Sequence, residues 1–551
     1  MSKNNLDHGG HNRRTFLKTV GITLGAAGLE STTVDSQETP GTPASGWNTR
    51  RGSSIRTGVI NGTGPVPYPM PEWKTDLNGT IFGYEPVVSD GTLYLPVTTE
   101  NSPPANEGFV GAYDIETGTE LWRQSTFPRP ETPTVSGEEV YVTTEFSESN
   151  QPQELGIYAL DRGSGDISWS RTQEPDWAET AVNNDLVLLA NTDGAVALDP
   201  PTGDLVWETP GVGGLSSGFD GFVCATDETV VYADGTALDP EDGSVLWVIE
   251  DEPILGDPGF RGGLVVFIRT ELAQGQMQVS LEARSEQTGE LEWSYVSPDN
   301  RWGGDHALTE NCVVIVEATG ETSSVIGLDL FTGEEKYRTE IPLNFASSPA
   351  GDDERVYIGG QYIPKDDTEE PKAAISTLER SSGDLLWTYL FDDSGLPTSP
   401  ENPPAAGTPA LSNGQLVAGT YPGGSTLDYE YLQYSNFFTF GTSESPPDGY
   451  RPPNRGKSDD GESEELNARI DAPSNQDLSD LSPGEKVLLN GSSSTGTDPT
   501  YEWDTDGDGQ YDTSGQSVRV TVPACTSLTV TLRVTNPNGD TDTATATVSP
   551  N

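Results

Sequence analysis

One nine-residue phrase, present seven times, constrains this chain more than any other feature: an acidic or polar residue, three variable positions, glycine, three more variable positions, then an aromatic ring. The copies run Asp114–Trp122, Asp161–Trp169, Asp199–Trp207, Asp239–Trp247, Ser285–Trp293, Asp329–Tyr337 and Glu379–Trp387. Glycine holds the same place in each: Gly118, Gly165, Gly203, Gly243, Gly289, Gly333 and Gly383. Successive aromatics lie 38–50 residues apart. Repetition at about 40–45 residues is the signature of propeller blades, small sheets that cannot bury their faces alone.

The phrase has a local mechanism. Alternating runs ahead of it, such as Gly156–Leu160 and Ala195–Leu198, read as strands with successive side chains on opposite faces. The acidic residue at the strand end starts a turn by accepting backbone N–H groups. Glycine supplies the positive φ of a tight hairpin. The tryptophan on the next strand offers a large apolar surface to the neighbouring blade. The expected role is architectural, since such a repeat reports fold and not chemistry.

Composition narrows function. The 551 residues carry a net charge of −58, and only eight of the 29 basic residues are Lys. Nucleic acid is excluded as a partner class, because phosphate binding needs clustered Lys and Arg. An acidic, lysine-poor chain that is still rich in Trp, Tyr, Val and Leu points to adaptation to high salt, where screening tolerates self-repulsion. Cys224, Cys312 and Cys525 form no CxxC motif, so zinc ribbons and c-type haem are not signalled, and buried free thiols are expected. The histidines are His8, His11 and His306, too few for a His-based triad or a multi-His metal site.

Taken in order, residues 1–29 read as a twin-arginine export signal: Asn12-Arg13-Arg14-Thr15-Phe16-Leu17-Lys18 precedes an apolar run from Thr19 to Leu29. A secreted or cell-surface location follows, with membrane contact expected only through an uncleaved signal. Residues 30–46 are a Ser/Thr/Pro/Gly-rich linker. Glu72-Trp73-Lys74-Thr75-Asp76 then repeats the tryptophan strand without the strands that should precede it. At the far end, Thr408–Thr420 begins a sheet that no Asp-Gly-Trp phrase completes. The economical solution joins the two, giving seven whole blades and one composite blade, with no open seam between first and last.

The blades, with Tyr113-Asp-Ile-Glu-Thr-Gly-Thr-Glu-Leu-Trp122 and Ala197-Leu-Asp-Pro-Pro-Thr-Gly-Asp-Leu-Val-Trp207 as examples, resemble PQQ-like (quinoprotein-type) β-propeller repeats. The expected fold is all-β: an eight-bladed propeller over 47–440, similar to the lipoprotein of the outer-membrane β-barrel assembly machinery. Residues 441–467 read as a disordered, acidic and Pro-rich linker. In 468–551, the alternating stretches Lys486–Asn490, Ser517–Val522, Leu528–Val534 and Thr543–Val548 suggest a β-sandwich. Gly491–Asp512 and Thr531–Val548 resemble an immunoglobulin-like PKD domain with Trp503 as its core tryptophan. That resemblance implies spacing, adhesion and polysaccharide contact.

Three sets of residues are candidates for chemistry. Asp504, Asp506, Asp508 and Asp512, with Gly509 at the sixth position, match the first part of a calcium loop, although Gly515 stands where a bidentate Glu would be. A solvated acidic turn is the competing reading. Glu85, Thr132, Thr180, Asp257, His306, Ser348 and Thr408 read as lying about two residues into the innermost strand of their blades and are expected to line the central channel, most simply as a hydrated bore. The innermost strand near Phe219 is unassigned. The sequons Asn61-Gly-Thr63, Asn78-Gly-Thr80 and Asn490-Gly-Ser492 are compatible with surface positions.

The expected function is a non-enzymatic binding or scaffold protein that contacts a cell-surface protein or polysaccharide, with no resident cofactor and calcium as a candidate ligand of the C-terminal module. A PQQ- and calcium-dependent dehydrogenase is the first alternative. Its resemblance implies an Asp base, a stacking Trp and basic residues drawn from Arg129, Arg162, Arg171, Arg261, Arg269, Arg284 and Arg301. A structural cell-envelope protein is the second. A carboxylate–arginine–tryptophan pocket in the channel would favour the enzyme.

Overall fold

The computed structural model describes residues 46–453 and 466–550, with gaps at 82–84, 101–106, 126–128, 145–154, 173–176, 184–185, 192, 214–222, 250–253, 274–275, 297–304, 319–321, 365–369, 393, 397, 399–402, 423–434, 471–477, 479–480, 485, 492–493, 496–499, 508, 516, 525 and 537–540. The residues read as an export signal, and nearly all of those read as the first linker, therefore lie outside the described residues. Every regular element within them is a β-strand.

Eight antiparallel sheets lie between Tyr68 and Arg451 among the described residues. Six follow the repeat as four strands, an innermost strand, two central strands, then the outer strand bearing the aromatic, while the seventh has six strands and the composite sheet five. In the first sheet these are Val87–Ser89, Thr92–Glu100, Glu107–Asp114 and Glu120–Gln124. The innermost strands of the next five are Thr134–Ser136, Ala181–Asn183, Val223–Ala225, Ile254–Arg261 and Ala307–Leu308. They pack on one another in that order, which makes the assembly a β-propeller. Val223–Ala225 is the strand that sequence reasoning could not place near Phe219.

The seven glycine turns are built alike. The glycine N–H donates to the carbonyl of the residue opening the phrase at 2.8–2.9 Å, as from Gly118 to Asp114 and from Gly383 to Glu379. All seven glycines have φ between 69° and 76°, the left-handed region that L side chains avoid. The Asp114 carboxylate accepts from Thr117 Oγ1 at 2.7 Å and from the Thr117 backbone N–H at 2.8 Å, which together hold its pKa below the usual range.

Each motif aromatic but Trp387 then leans on the next sheet's glycine. A Cβ on Gly165 would stand 2.6 Å from the Trp122 ring, and one on Gly243 would stand 2.6 Å from Trp207. The indole N–H donates into the same turn, from Trp122 to the Arg162 carbonyl and from Trp207 to the Pro240 carbonyl, both at 2.9 Å. Opposite the ring, on the third strand, sits a small residue such as Ala112, Ala159, Ala197 or Gly327. The motif glycine thus serves two ends, an accessible turn and a landing for the neighbouring indole.

The composite sheet contains Ala410–Ser412, Gln415–Pro422, Asn436–Ser443 and, on its outer edge, Tyr68–Asp76. Tyr68 pairs with Ser443 and Asp76 with Asn436, so the early tryptophan strand joins the sheet begun near residue 408. Within the stretch read as a linker, Tyr450–Arg451 pairs with the outer strand of the seventh sheet, Leu385–Leu390. The tail after the ring is therefore strapped to it before the chain moves on.

The C-terminal residues form two further sheets. Lys486–Asn490 pairs with Ser517–Thr521, and Thr500–Asp504 lies between Thr513–Ser514 and Leu528–Thr535, which pairs with Thr541–Val548. Alternation fixes the inward faces. Val487, Leu489, Val520, Val530, Leu532 and Val534 form one core around the fully buried Trp503.

Candidate functional site

The centre of the propeller is filled by its own chain. Residues 47–64 precede the first strand and carry no strand alternation. Their N–H and C=O groups must still find partners when buried. They find them on every sheet in turn. Trp47 N donates to Val88 O at 2.9 Å, and Val135 N donates to Asn48 O at 2.8 Å. Ser54 Oγ donates to Val182 O at 2.5 Å. Ala225 N donates to Ser54 O, Phe260 N to Ile55 O and Gly351 N to Gly58 O, each at 2.8 Å, while Leu308 N donates to Thr57 O at 2.7 Å. Gly414 N closes the circuit on Thr63 O at 2.7 Å.

The path is tightly turned. Gly52 N bonds Thr49 O at 3.0 Å, and Gly58 N bonds Arg51 O at 2.8 Å. Arg51 and Arg56 hold φ of 55° and 52°, a conformation that costs a non-glycine residue about 1–3 kcal/mol and persists only where surroundings over-determine it. A Cβ on Gly58 would stand 2.3 Å from Arg51 Nη2, so glycine is required there.

Arg51 supplies part of that over-determination. Its fully buried guanidinium donates from Nη2 to the carbonyls of His306 at 2.7 Å and Pro349 at 2.6 Å, bridging the sixth and seventh sheets. Glu85 accepts from the Arg51 backbone N–H at 2.8 Å and from Trp47 Nε1 at 2.9 Å, and it pairs with Arg51 Nη1 at 3.4 Å. Arg56 donates to the carbonyls of Val223, Arg50 and Thr180 at 3.0, 2.6 and 2.7 Å. Arg50 spans the ring, 3.4 Å from Glu179 and 3.6 Å from Asp305. A basic inner segment thus neutralises an acidic wall.

The residues expected to line the channel are reached in this way. Glu85, Thr132, Thr180, His306 and Ser348 lie just before the innermost strands rather than inside them. Thr132 Oγ1 accepts from Glu85 N at 3.1 Å, and Ser348 Oγ accepts from Asp305 N at 2.9 Å. Thr180 contributes its carbonyl and not its hydroxyl. Thr408 is half-buried ahead of Ala410–Ser412. Asp257 is on the strand Ile254–Arg261. The imidazole of His306 is fully buried with both nitrogens unbonded, and burial, reinforced by Arg51 against the opposing pull of Asp305, lowers its pKa to about 4.

A carboxylate–arginine–tryptophan cluster therefore exists at the axis, but its members bond to one another. Trp47 and Arg51 are fully buried and present no open face to a planar quinone. Of the other arginines considered for a cofactor, three are engaged elsewhere. Arg162 bonds Tyr94, Ser89 and Asp90, Arg171 the Gly203 carbonyl, and Arg284 both Glu282 and the Gly289 carbonyl. Arg301 lies outside the described residues.

In the C-terminal loop, Asp504 is buried and caps the turn by accepting from Gly507 N at 2.7 Å and Gly509 N at 2.8 Å. Asp512 accepts from Thr505 Oγ1 at 2.9 Å. Asp506 is exposed, and Asp508 lies outside the described residues. Arg533 stacks on Tyr511 at 3.9 Å and bonds Glu502 at 2.7 Å, which ties the loop to the sheet. Among the described residues no group of three or more His, Cys, Asp or Glu is placed to hold a metal ion. Cys224 and Cys312 are buried and form no disulfide with one another.

Sequence reasoning missed Trp47, Arg50, Arg51 and Arg56. The available signal was three arginines within seven residues of a chain so poor in positive charge.

The ring of sheets, joined indole to glycine, defines a β-propeller of the PQQ-like repeat class. The chain belongs to the family described as "Outer membrane protein assembly factor BamB", whose model matches residues 71–213, 192–301 and 279–427. Among solved structures it is similar to BamB from Moraxella catarrhalis, at 13% identity over 68% of this chain and 98% of that one, with a TM-score of 0.45. It is also similar to the quinohemoprotein alcohol dehydrogenase from Comamonas testosteroni, at 12% identity over 74% and 82%, with a TM-score of 0.47. Comparison with curated proteins gave no match.

Proposed function

We propose that this protein is an exported, non-enzymatic scaffold. Its eight-bladed ring binds a cell-surface protein or polysaccharide through rim and loops, and its PKD-type C-terminal module serves as a spacer that takes Ca²⁺ in the 504–512 loop. The observation that carries the reading is the filled axis. Residues 47–60 engage the wall carboxylates Glu85 and Glu179 and the wall carbonyls of His306 and Thr180, which leaves binding to the outer surfaces. The family description, an outer membrane protein assembly factor, supports a location outside the cytoplasm and a protein-binding role. The twin-arginine segment and the acidic surface support export in folded form into a salt-rich medium.

The test has two arms. The full chain is incubated with PQQ, Ca²⁺ and a dye acceptor over a panel of alcohols and aldoses, and no substrate-dependent turnover is expected. Robust turnover overturns the scaffold in favour of a dehydrogenase. In parallel, tagged protein is used to capture partners from envelope extract. One stoichiometric partner supports the scaffold, and bulk retention on the envelope matrix points to a structural protein instead.

A further inference from the structure

In blade after blade the two residues before the aromatic lie on the outermost strand. They are aliphatic in both positions in three sheets: Leu205-Val206, Val245-Leu246 and Leu385-Leu386. The third pair is covered. Tyr450–Arg451 runs antiparallel along Thr388 and Tyr389, Gly449 O accepts from Leu390 N at 2.8 Å, and Leu386 and Tyr450 pack on the same core. Leu385 and Leu386 are half-buried. The other two pairs are bare, with Val206 50% and Val245 52% exposed and Val248 beside them at 53%. Among the described residues neither Leu205–Pro210 nor Val245–Val248 has a strand on its outer side.

Charge marks what fits there. From 172 to 260, a span that holds both sheets, there is no Lys, Arg or His. Exposed Asp204, Glu208, Glu241 and Asp242 border the bare aliphatics. A second copy of the chain would bring the same acidic edge and a charge of −58, so like repels like. The strap on the seventh sheet shows part of the fitting chemistry in cis, main-chain pairing and one aromatic, while its arginine bonds the strap's own carbonyls at Asp448 and Tyr450.

We propose that the outer edges of the third and fourth sheets, strands Leu205–Pro210 and Val245–Val248, dock an extended segment of a partner protein whose aromatic or aliphatic side chains alternate with Arg or Lys. Main-chain hydrogen bonds to the open edge supply affinity, the aliphatics take the apolar side chains, and the carboxylates take the cations. This deepens the scaffold reading and rests on it.

The probe is a fluorescent, acetylated octapeptide alternating arginine with valine and tyrosine, followed by anisotropy on the full chain. Salt is held at about 1 M, where the Debye length of about 3 Å suppresses diffuse attraction. Val206→Glu with Leu246→Glu is expected to weaken binding about tenfold or more. Leu121→Glu, an exposed leucine on the first sheet, is expected to leave it unchanged. A peptide with serine in place of valine and tyrosine is expected not to bind. If the double variant loses its far-UV spectrum, Val206→Thr with Leu246→Thr replaces it under the same criteria. Unchanged affinity in the double variant, equal weakening by Leu121→Glu, or equal binding of the serine peptide overturns the proposal. Envelope capture separates the two levels. A partner retained by both wild type and double variant sinks the docking edge alone, whereas no partner for wild type sinks the scaffold.

Discussion

Trp73 and Gly118 meet where the first sheet abuts the composite one. A Cβ on Gly118 would stand 2.8 Å from the indole, and Trp73 Nε1 donates to Ile115 O at 2.8 Å. The residue from before the first repeat therefore makes the same joint as the tryptophans inside the repeats, and it makes it across the closing seam.

Gly118→Ala tests that joint. The alanine must adopt φ near 70° and push the indole aside. The expected loss is about 2–4 kcal/mol, from backbone strain and overpacking together. Chemical denaturation followed by tryptophan fluorescence reads it. Gly137→Ala also meets a positive φ but has open space around its Cβ, so it should lose less, about 1 kcal/mol. Equal losses would mean that packing at the seam contributes nothing.

The axial pair can be taken apart in a cycle. Arg51→Met leaves Glu85 buried without its cation and should cost about 3–5 kcal/mol. Glu85→Gln leaves the guanidinium its two carbonyl partners and should cost less. The double variant should fall short of the sum, because the two side chains share one network. Strict additivity would show that they act independently.

His306 gives the ring an acid sensitivity of defined sign. Its folded pKa, about 4, lies below the ordinary value of 6.5, so the folded state resists a proton that the unfolded chain accepts. Its contribution is complete above pH 6.5 and is lost as pH falls toward about 4. His306→Gln should flatten the stability profile in that window while leaving the carboxylate-driven fall at lower pH. Parallel profiles for the two proteins would remove His306 as the cause.

Calcium should act on the C-terminal module alone. Adding millimolar Ca²⁺ to chelator-treated protein is expected to raise the melting of the C-terminal sheets and not that of the ring. Asp512→Asn should reduce the rise, since it removes a charge from the proposed calcium loop. A titration with no heat and no shift would assign the loop to turn formation only, a role Asp504 already fills through Gly507 and Gly509.

The joints of the ring were legible because their causes are local. Gly118, Trp122 and their copies recur at fixed spacing, and each carries a steric demand that sequence displays. Trp73 could be matched to the sheet near residue 408 because one end lacked what the other had. Residues 47–60 were not legible for the opposite reason. Arg51 and Arg56 take their conformation from carbonyls on distant strands, those of His306, Pro349, Val223 and Thr180, and no periodicity announces such partners. The strap at Tyr450 was hidden too, since prolines and glycines on both sides mimic a free linker.

The pairing of Tyr68–Asp76 with Asn436–Ser443 also sets a timetable for the growing polypeptide. A ribosome must deliver residue 443 before the strand made at residue 68 finds its neighbour, so synthesis cannot finish this molecule piece by piece. Any nascent product cut short of that point would keep a gaping, strand-edged seam, the kind of surface that quality-control proteases and holdase chaperones recognise.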